Sequence, residues 1–142
     1  MGEVKTMQVD HVTGYAFIAK GTSNHYAAVD SVYNDQPAGA QGPMELILTA
    51  LGGCSGSDIV EILRKKRQTV ESFSIQLSGE RVEEHPRVYK SIHMKFIFRG
   101  KKIDPAAVER AIELSLTKYC SVHGMLSKAV AITHDYDIHE SD

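Results

Sequence analysis

Two long segments of alternating polarity lie in the middle of the chain and constrain its fold more than any other feature. They read ESFSIQLSGERVEE, from residue 71, and VYKSIHMKFIFRG, from residue 88. Apolar side chains recur at every second position, namely Phe73, Ile75 and Leu77 in the first segment and Ile92, Met94, Phe96 and Phe98 in the second. A period of two is typical of a β-strand with one apolar face. Because EHPR between them contains turn residues, the segments predict a long antiparallel hairpin whose apolar face must be covered.

We predict that a helix beginning at Pro43 and running to Arg67 covers the apolar face of this hairpin. Proline suits the first helical position, and the RKKR run complements the negative end of the helix dipole. Between Met44 and Leu51 the helix is apolar on every side. Such a helix is expected to be enclosed, either by its own domain or by a second subunit.

The remaining segments complete a mixed α+β order. Short strands are predicted in KTMQVDHV, YAFIAKG and HYAAVD, and NDQPAGAQG is predicted to be a loop. Asp104 and Pro105 predict the start of a second helix, as its cap and first residue. A break near Cys120, a short helix in SVHGMLSKA and a closing strand in VAITHDYDI follow. The predicted order is βββ-α-ββ-α(α)-β, in a single domain that spans residues 1–142.

Composition and charge exclude several functions. The chain has 142 residues, of which 42% are hydrophobic and 24% charged, and its formal net charge is −2. This charge gives no electrostatic basis for binding nucleic acid or anionic lipid. No apolar run approaches the ~20 residues of a membrane span, and the first residues lack the apolar centre of a secretory signal. We therefore expect a cytoplasmic protein with no nucleic-acid or membrane partner.

Cys54 and Cys120 are the only cysteines of the chain. In a cytoplasmic protein both are expected to be reduced at rest. They are either small apolar residues of the core or a working redox pair, and a disulfide would require their Cα atoms to lie within about 7 Å. Cys54 is surrounded by Gly52, Gly53 and Gly56. These glycines indicate close approach by another backbone or a ligand, or else a break between two helices.

A reactive cysteine needs a neighbour that lowers its pKa. Cys54 lies too far inside its helix to benefit from the dipole, and Asp58, one turn later, would oppose a thiolate. One candidate neighbour is Glu45, although an acid in the first helical turn is also explained by dipole compensation. The other candidates are His123, which as an imidazolium could stabilise a thiolate, and a lysine or arginine that the fold brings near.

The closing strand places Asp135, Asp137 and His139 on one face. Two carboxylates and one histidine are a weak ligand set, and an exposed strand face explains them equally well. We therefore predict no metal site, and nothing in the chain calls for a cofactor.

GPMELILTALGGCS and KYCSV together resemble the motifs of the OsmC/Ohr family, the osmotically inducible and organic-hydroperoxide-resistance proteins. The resemblance covers roughly residues 3–138. It implies an intertwined homodimer in which two long central helices pack against antiparallel sheets. It also implies a thiol peroxidase, in which Cys54 is oxidised to sulfenic acid by a small apolar hydroperoxide and Cys120 forms a disulfide with it. A dithiol reductant of the dihydrolipoyl type would then restore the thiols.

The same resemblance implies the remaining site residues. Glu45 would be the third catalytic residue, and the substrate contacts would be Met44, Leu51 and His123. The chain departs from the family peroxidases in two places, because no arginine precedes Arg64 and because Glu45 stands one residue later than the family glutamate. Candidates to replace the arginine are Lys5, Lys20 and His25. These departures favour a second hypothesis, a non-catalytic binder of a small apolar molecule at the dimer interface.

Overall fold

The computed structural model describes residues 2–142 and confirms the predicted α+β order. Its elements are β1 (Met7–Thr13), β2 (Ala16–Gly21), β3 (Tyr26–Val29), α1 (Pro43–Lys65), β4 (Thr69–Arg81), β5 (Tyr89–Lys101), α2 (Pro105–Leu114), a π-helix (Ser115–Tyr119), α3 (Ser121–Leu126) and β6 (Ala131–Glu140). The chain divides into two compact units, the first ending at Ile47 and the second running from Leu48 to Asp142. A single domain over residues 1–142 stays a prediction.

The first unit contains an antiparallel sheet of the order β1-β2-β3. All residues of β1 are exposed, including Met7, Val9 and Val12, which are 64%, 55% and 58% accessible. The segment predicted as a loop contains no helix or regular strand before α1 begins. Apolar side chains at these levels of exposure leave this sheet with an uncovered apolar surface.

The second unit contains the predicted hairpin, in the sheet order β4-β5-β6. Strands β4 and β5 are antiparallel, with Phe73 opposite Phe98 and Ile75 opposite Phe96. Strand β6 runs parallel to β5, so this sheet is mixed, whereas the resemblance implied antiparallel sheets. The physical reason is the connection, because α2, the π-helix and α3 together are long enough to return the chain to the same end of the sheet.

One face of this sheet is the main core of the second unit. The core side chains of β5, α1 and α2 are almost fully buried. They are Ile92, Met94, Phe96 and Phe98 on β5, Leu51, Ile59 and Leu63 on α1, and Val108, Ala111 and Ile112 on α2. As predicted, Asp104 caps α2, since its Oδ1 accepts a hydrogen bond from the Ala106 N–H at 3.0 Å. The core therefore holds both helices against the hairpin that the alternating segments predicted.

Helix α1 is continuous through its three glycines, so a break between two helices is excluded. A Cβ atom at Gly52 would lie 2.9 Å from Leu77 Cδ1, and one at Gly56 would lie 3.3 Å from Ile75 Cδ1. These two glycines therefore let β4 side chains approach the helix closely. At Gly53 a Cβ atom would meet nothing within 4 Å.

The helix ends at Lys65 rather than at Arg67, which has a left-handed φ of 56°. By length and composition alone, α1 is also apolar enough to cross a membrane. Core helices of soluble proteins meet the same criterion. A stripe of α1 that includes Leu51, Ile59 and Leu63 is buried in the second unit, which is typical of a core helix.

Candidate dithiol site

The structure brings the two thiols together between α1 and the π-helix. Cys54 lies within α1, and Cys120 directly follows the π-helix. Both are free thiols, and their side chains are near enough for Cys54 to raise the pKa of Cys120. Cys54 is half-buried, whereas Cys120 is only 5% exposed. The site is therefore a dithiol in which one sulfur is accessible and the other is enclosed.

Burial raises the pKa of the Cys120 thiol from its ordinary value of 9.0 to about 11. The neighbouring Cys54 thiol and the charge of Asp58 also raise the pKa of Cys120. The backbone N–H of His123, 3.4 Å from the Cys120 sulfur, acts in the opposite direction. At neutral pH Cys120 therefore keeps its proton. The sequence predicted that Asp58 would oppose a thiolate at Cys54. In the structure its charge raises the pKa of Cys120.

His123 contacts the site through its backbone. Burial lowers the pKa of its imidazole, and the nearby His134 lowers it further. The ring is therefore neutral at neutral pH, and the imidazolium proposed from the sequence is not available to the thiols. The role of His123 as a substrate contact stays a prediction.

The other predicted site residues lie in and near the start of α1. Glu45 Oε1 accepts a hydrogen bond from the backbone N–H of Gly42 at 3.2 Å, which is the capping role expected of a first-turn acid. Met44 is half-buried in the same turn, and Leu51 is fully buried in the core. The catalytic role of Glu45 and the substrate contacts of Met44 and Leu51 stay predictions.

The three candidates to replace the family arginine all have local partners within the first unit. Lys5 forms an ion pair with Glu3 at 2.9 Å, the ammonium of Lys20 lies 4.9 Å from the Tyr26 ring centroid, and His25 Nδ1 lies 2.9 Å from the Ser23 carbonyl oxygen. None of these three side chains provides the planar, bidentate donor pair of an arginine.

A buried polar cluster beside the thiols was missed by the sequence analysis. Ser115 Oγ lies 2.9 Å from Asp58 Oδ2, 3.1 Å from Ser55 Oγ and 3.4 Å from the Ser55 carbonyl oxygen. Ser55 and Ser115 are both fully buried. The signal was present, since Ser115 follows Val108 and Ile112 on the apolar stripe of the second predicted helix. A hydroxyl on such a stripe must find a buried partner.

A groove next to this cluster gives small molecules a place to bind. It lies between α1 and the junction of α2 with the π-helix, and its volume is about 490 Å³. Ile62, Leu114 and Tyr119 contribute apolar surface, and Asp58 joins the groove to the thiol site. Volumes of this size are within the usual range of small-molecule sites.

Within residues 2–142, no group of three His, Cys, Asp or Glu side chains is arranged to hold a metal ion. The carboxylates of β6 are engaged with side chains of β5 instead. Asp135 lies 2.7 Å from His93 Nε2, and Asp137 lies 3.2 Å from Lys95 Nζ. These ion pairs explain the polar face of β6 as the outer surface of the sheet.

The raised pKa of Cys120 predicts that the free energy of unfolding falls as the pH rises from about 9 to about 11. In this range the unfolded chain releases a thiol proton that the native protein retains, which costs roughly 1.4 kcal/mol per pH unit and roughly 2 kcal/mol in all. Urea unfolding of the wild type and of Cys120→Ser across this range measures the effect. The same pH dependence in both proteins would contradict it.

The fold and the site together define a class, that of α+β proteins with a dithiol between a long core helix and a second helical segment. The sequence profile of the OsmC-like protein family matches residues 35–135, and the chain belongs to this family. It is 44% identical to protein YhfA of Escherichia coli K12 over 131 residues, which cover 92% of this chain and 96% of YhfA.

Solved structures agree with this assignment. The crystal structure of a hypothetical protein from Aquifex aeolicus VF5 is 31% identical, with a TM-score of 0.87 over 99% of this chain and 100% of that one. An organic hydroperoxide resistance protein, OsmC, from Legionella pneumophila shares the fold alone. It is 11% identical, with a TM-score of 0.66 over 95% of this chain and 97% of that one.

Proposed function

We propose that this protein is a thiol-dependent peroxidase that reduces organic hydroperoxides. The observation that carries the proposal is that the half-buried thiol of Cys54 neighbours the buried thiol of Cys120, whose pKa is raised. Membership of the OsmC-like family supports it, as does the fold shared with a hydroperoxide resistance protein. The asymmetry of the pair assigns attack on the peroxide to Cys54 and formation of the disulfide to Cys120.

The proposed reaction begins when the Cys54 thiolate attacks one oxygen of the peroxide bond. The O–O bond breaks, the sulfur becomes sulfenic acid, and the other oxygen leaves as an alkoxide that takes up a proton to give the alcohol. The Cys120 sulfur then attacks the Cys54 sulfur, forming the disulfide and releasing water. A dithiol of the dihydrolipoyl type returns two electrons by thiol–disulfide exchange and leaves as its own disulfide.

The groove beside Asp58 favours a small apolar hydroperoxide as the substrate. Its apolar residues, Ile62, Leu114 and Tyr119, can contact an alkyl group. Met44, Leu51 and His123 are retained in the proposal as further substrate contacts. Glu45 is retained as a third catalytic residue that polarises the peroxide.

A titration of thiols tests the proposal directly. The reduced protein is expected to show two reactive thiols per chain and none after one equivalent of tert-butyl hydroperoxide, with both restored by dihydrolipoate. A thiol titre that stays unchanged after the peroxide would refute the proposed activity.

The protein is further proposed to be a homodimer in the cytoplasm. Members of the OsmC-like family are soluble and generally homodimeric. A stripe of small and apolar residues on α1 faces away from the core and is exposed; it contains Ala50, Gly53, Ser57 and Val60. This stripe gives a second copy a surface to bury, and the uncovered apolar residues of β1 give it another.

Val60→Asp is expected to shift the native mass from that of a dimer to that of a monomer, because it would place an unpaired charge in an apolar interface. Sedimentation equilibrium measures the mass. Val88→Asp is the matched control, since Val88 on the β4–β5 connection is 51% exposed and Val60 is 55% exposed. A monomeric wild type, or equal masses for the two variants, would contradict the proposed interface.

The groove also favours a second candidate function, the non-catalytic binding of a small apolar molecule. Its volume of about 490 Å³ and its apolar walls do not require a reactive thiol. Under this alternative, native mass spectrometry would detect a co-purified ligand, Cys54→Ser would retain it, and hydroperoxide would disappear no faster than in buffer.

A further inference from the structure

A buried hydroxyl joins the two helical segments that carry the thiols. Ser115 is the first residue of the π-helix, and its Oγ lies 2.9 Å from Asp58 Oδ2 and 3.1 Å from Ser55 Oγ on α1. A hydroxyl has one proton to donate, and the carboxylate is both its nearest acceptor and a charged one. The proton of Ser115 is therefore donated to Asp58.

The backbone of the same serine is bonded to Cys120. The Ser115 carbonyl accepts the Cys120 N–H at 2.8 Å, a hydrogen bond that spans five residues. Asp58 lies one turn after Cys54 on α1, and the helix fixes the spacing of these two residues. A continuous chain of contacts thus runs from Cys54 through Asp58 and Ser115 to the backbone of Cys120.

We propose that Ser115, held by Asp58 and Ser55, is a positioning residue that fixes the π-helix so that the Cys120 sulfur lies against that of Cys54. The inference rests on the thiol–disulfide chemistry proposed for the two cysteines. A π-helix is rare and is found mostly as a single turn, frequently at functional sites. Without the Ser115 hydroxyl, relaxation of this turn by one residue would rotate Cys120 by about 100° away from its partner.

Asp58 has a second effect at the same place. The groups that face the Cys120 thiol are Cys54 and Asp58 from α1 and the backbone N–H of His123 from α3. The Asp58 carboxylate is the only full negative charge among these groups when Cys54 is protonated. Replacing it by an amide would keep an acceptor for Ser115 while removing the charge that opposes a Cys120 thiolate.

The disulfide-forming step can be measured without any peroxide, using 5,5′-dithiobis(2-nitrobenzoate) on the full-length reduced protein. The Cys54 thiolate attacks the reagent and releases one thionitrobenzoate, leaving a mixed disulfide on Cys54. The Cys120 sulfur then attacks the Cys54 sulfur, the Cys54–Cys120 disulfide forms, and a second thionitrobenzoate leaves. The first release reports on the reactivity of Cys54, and the second reports on the placement of Cys120.

Ser115→Ala is expected to slow the second release by roughly 10-fold to 100-fold and to leave the first within about twofold, as misplacement of a reacting group by about 1 Å does. Thr117→Ala is the matched control, because Thr117 lies in the same π-helix, is exposed, and donates its hydroxyl to a carbonyl of its own helical segment, that of Glu113, at 2.7 Å. Its two releases are expected to match those of the wild type.

Two variants of Asp58 make the test independent of the folding of Ser115→Ala. Asp58→Ala removes the acceptor and is expected to slow the second release at every pH. Asp58→Asn is expected to keep the wild-type rate at its high-pH plateau and to reach half of that rate at a lower pH. The difference between the two plateau rates tests the hydrogen-bond acceptor for Ser115, and the shift of the pH profile separately tests the charge of Asp58.

Equal second-release rates in Ser115→Ala and Thr117→Ala, or equal plateau rates in Asp58→Ala and Asp58→Asn, would overturn the inference. Its failure is distinct from failure of the proposed peroxidase. A protein that ignores hydroperoxide but shows the Ser115→Ala defect would refute the peroxidase and retain the positioning role. A protein that reduces hydroperoxide but shows identical second-release rates in all variants would retain the proposed peroxidase and refute the positioning role.

Discussion

Cys54→Ser is expected to abolish hydroperoxide reduction, lowering the rate by at least about a thousandfold to that of buffer. Serine keeps the size of the side chain but offers a hydroxyl that is scarcely ionised at neutral pH and is a poor nucleophile toward peroxide oxygen. Cys54 is the accessible member of the pair, since it is half-buried whereas Cys120 is 5% exposed. The one other thiol of the chain, Cys120, is buried and has a raised pKa, so it is not expected to replace Cys54.

Cys120→Ser is the matched control for this prediction, because it removes the second thiol while leaving the first in place. One equivalent of peroxide per chain is expected to be consumed, after which Cys54 remains as sulfenic acid and no internal disulfide forms. Stopped-flow measurement of peroxide loss, with dimedone labelling of the sulfenic acid, follows both steps. Sustained turnover by Cys54→Ser would show that the reacting sulfur has been wrongly assigned.

Phe98→Ala is expected to lower the free energy of unfolding by about 3–5 kcal/mol, a large share of the stability of a domain of this size. Phe98 is fully buried on the central strand β5, directly opposite Phe73 on β4. The two rings stack with centroids 4.6 Å apart and planes 6° apart. Truncation would remove this stack and leave a cavity beneath the helices that position the thiols.

Urea unfolding at neutral pH under reducing conditions measures this loss. Val88→Ala is the control, since Val88 is 51% exposed, and its effect is expected to stay within about 0.5 kcal/mol. Similar values for the two variants would mean that this face of the sheet is not the core that stabilises the protein.

Local pattern was enough to predict most of the fold. The alternation through Phe73 and Phe98 predicted β4 and β5, because a strand with one buried face must repeat every two residues. Asp104 and Pro105 predicted the start of α2, since a cap and a first-turn proline act within a few residues of themselves. The direction of β6 was not predictable in this way, because it depends on where the preceding helices return the chain.

The candidate site was predictable only in part. The two cysteines could be singled out as residues, and Asp58 could be identified as an opponent of a thiolate, because both conclusions follow from residue type and helical spacing. The partner of Asp58 in the polar cluster was missed, although Ser115 lies on an apolar stripe. A π-helix has no strong signature in the sequence, so the turn that delivers Cys120 was missed as well.

By itself, the sequence determined the order of strands and helices, the apolar faces they bury and the pair of cysteines available for chemistry, because these follow from periodicity and side-chain type. Only the tertiary structure decided that Cys54 and Cys120, 66 residues apart in the chain, are neighbours, and that burial raises the pKa of Cys120 to about 11. Proximity and desolvation depend on which distant segments the core brings together, and neither is encoded in local pattern.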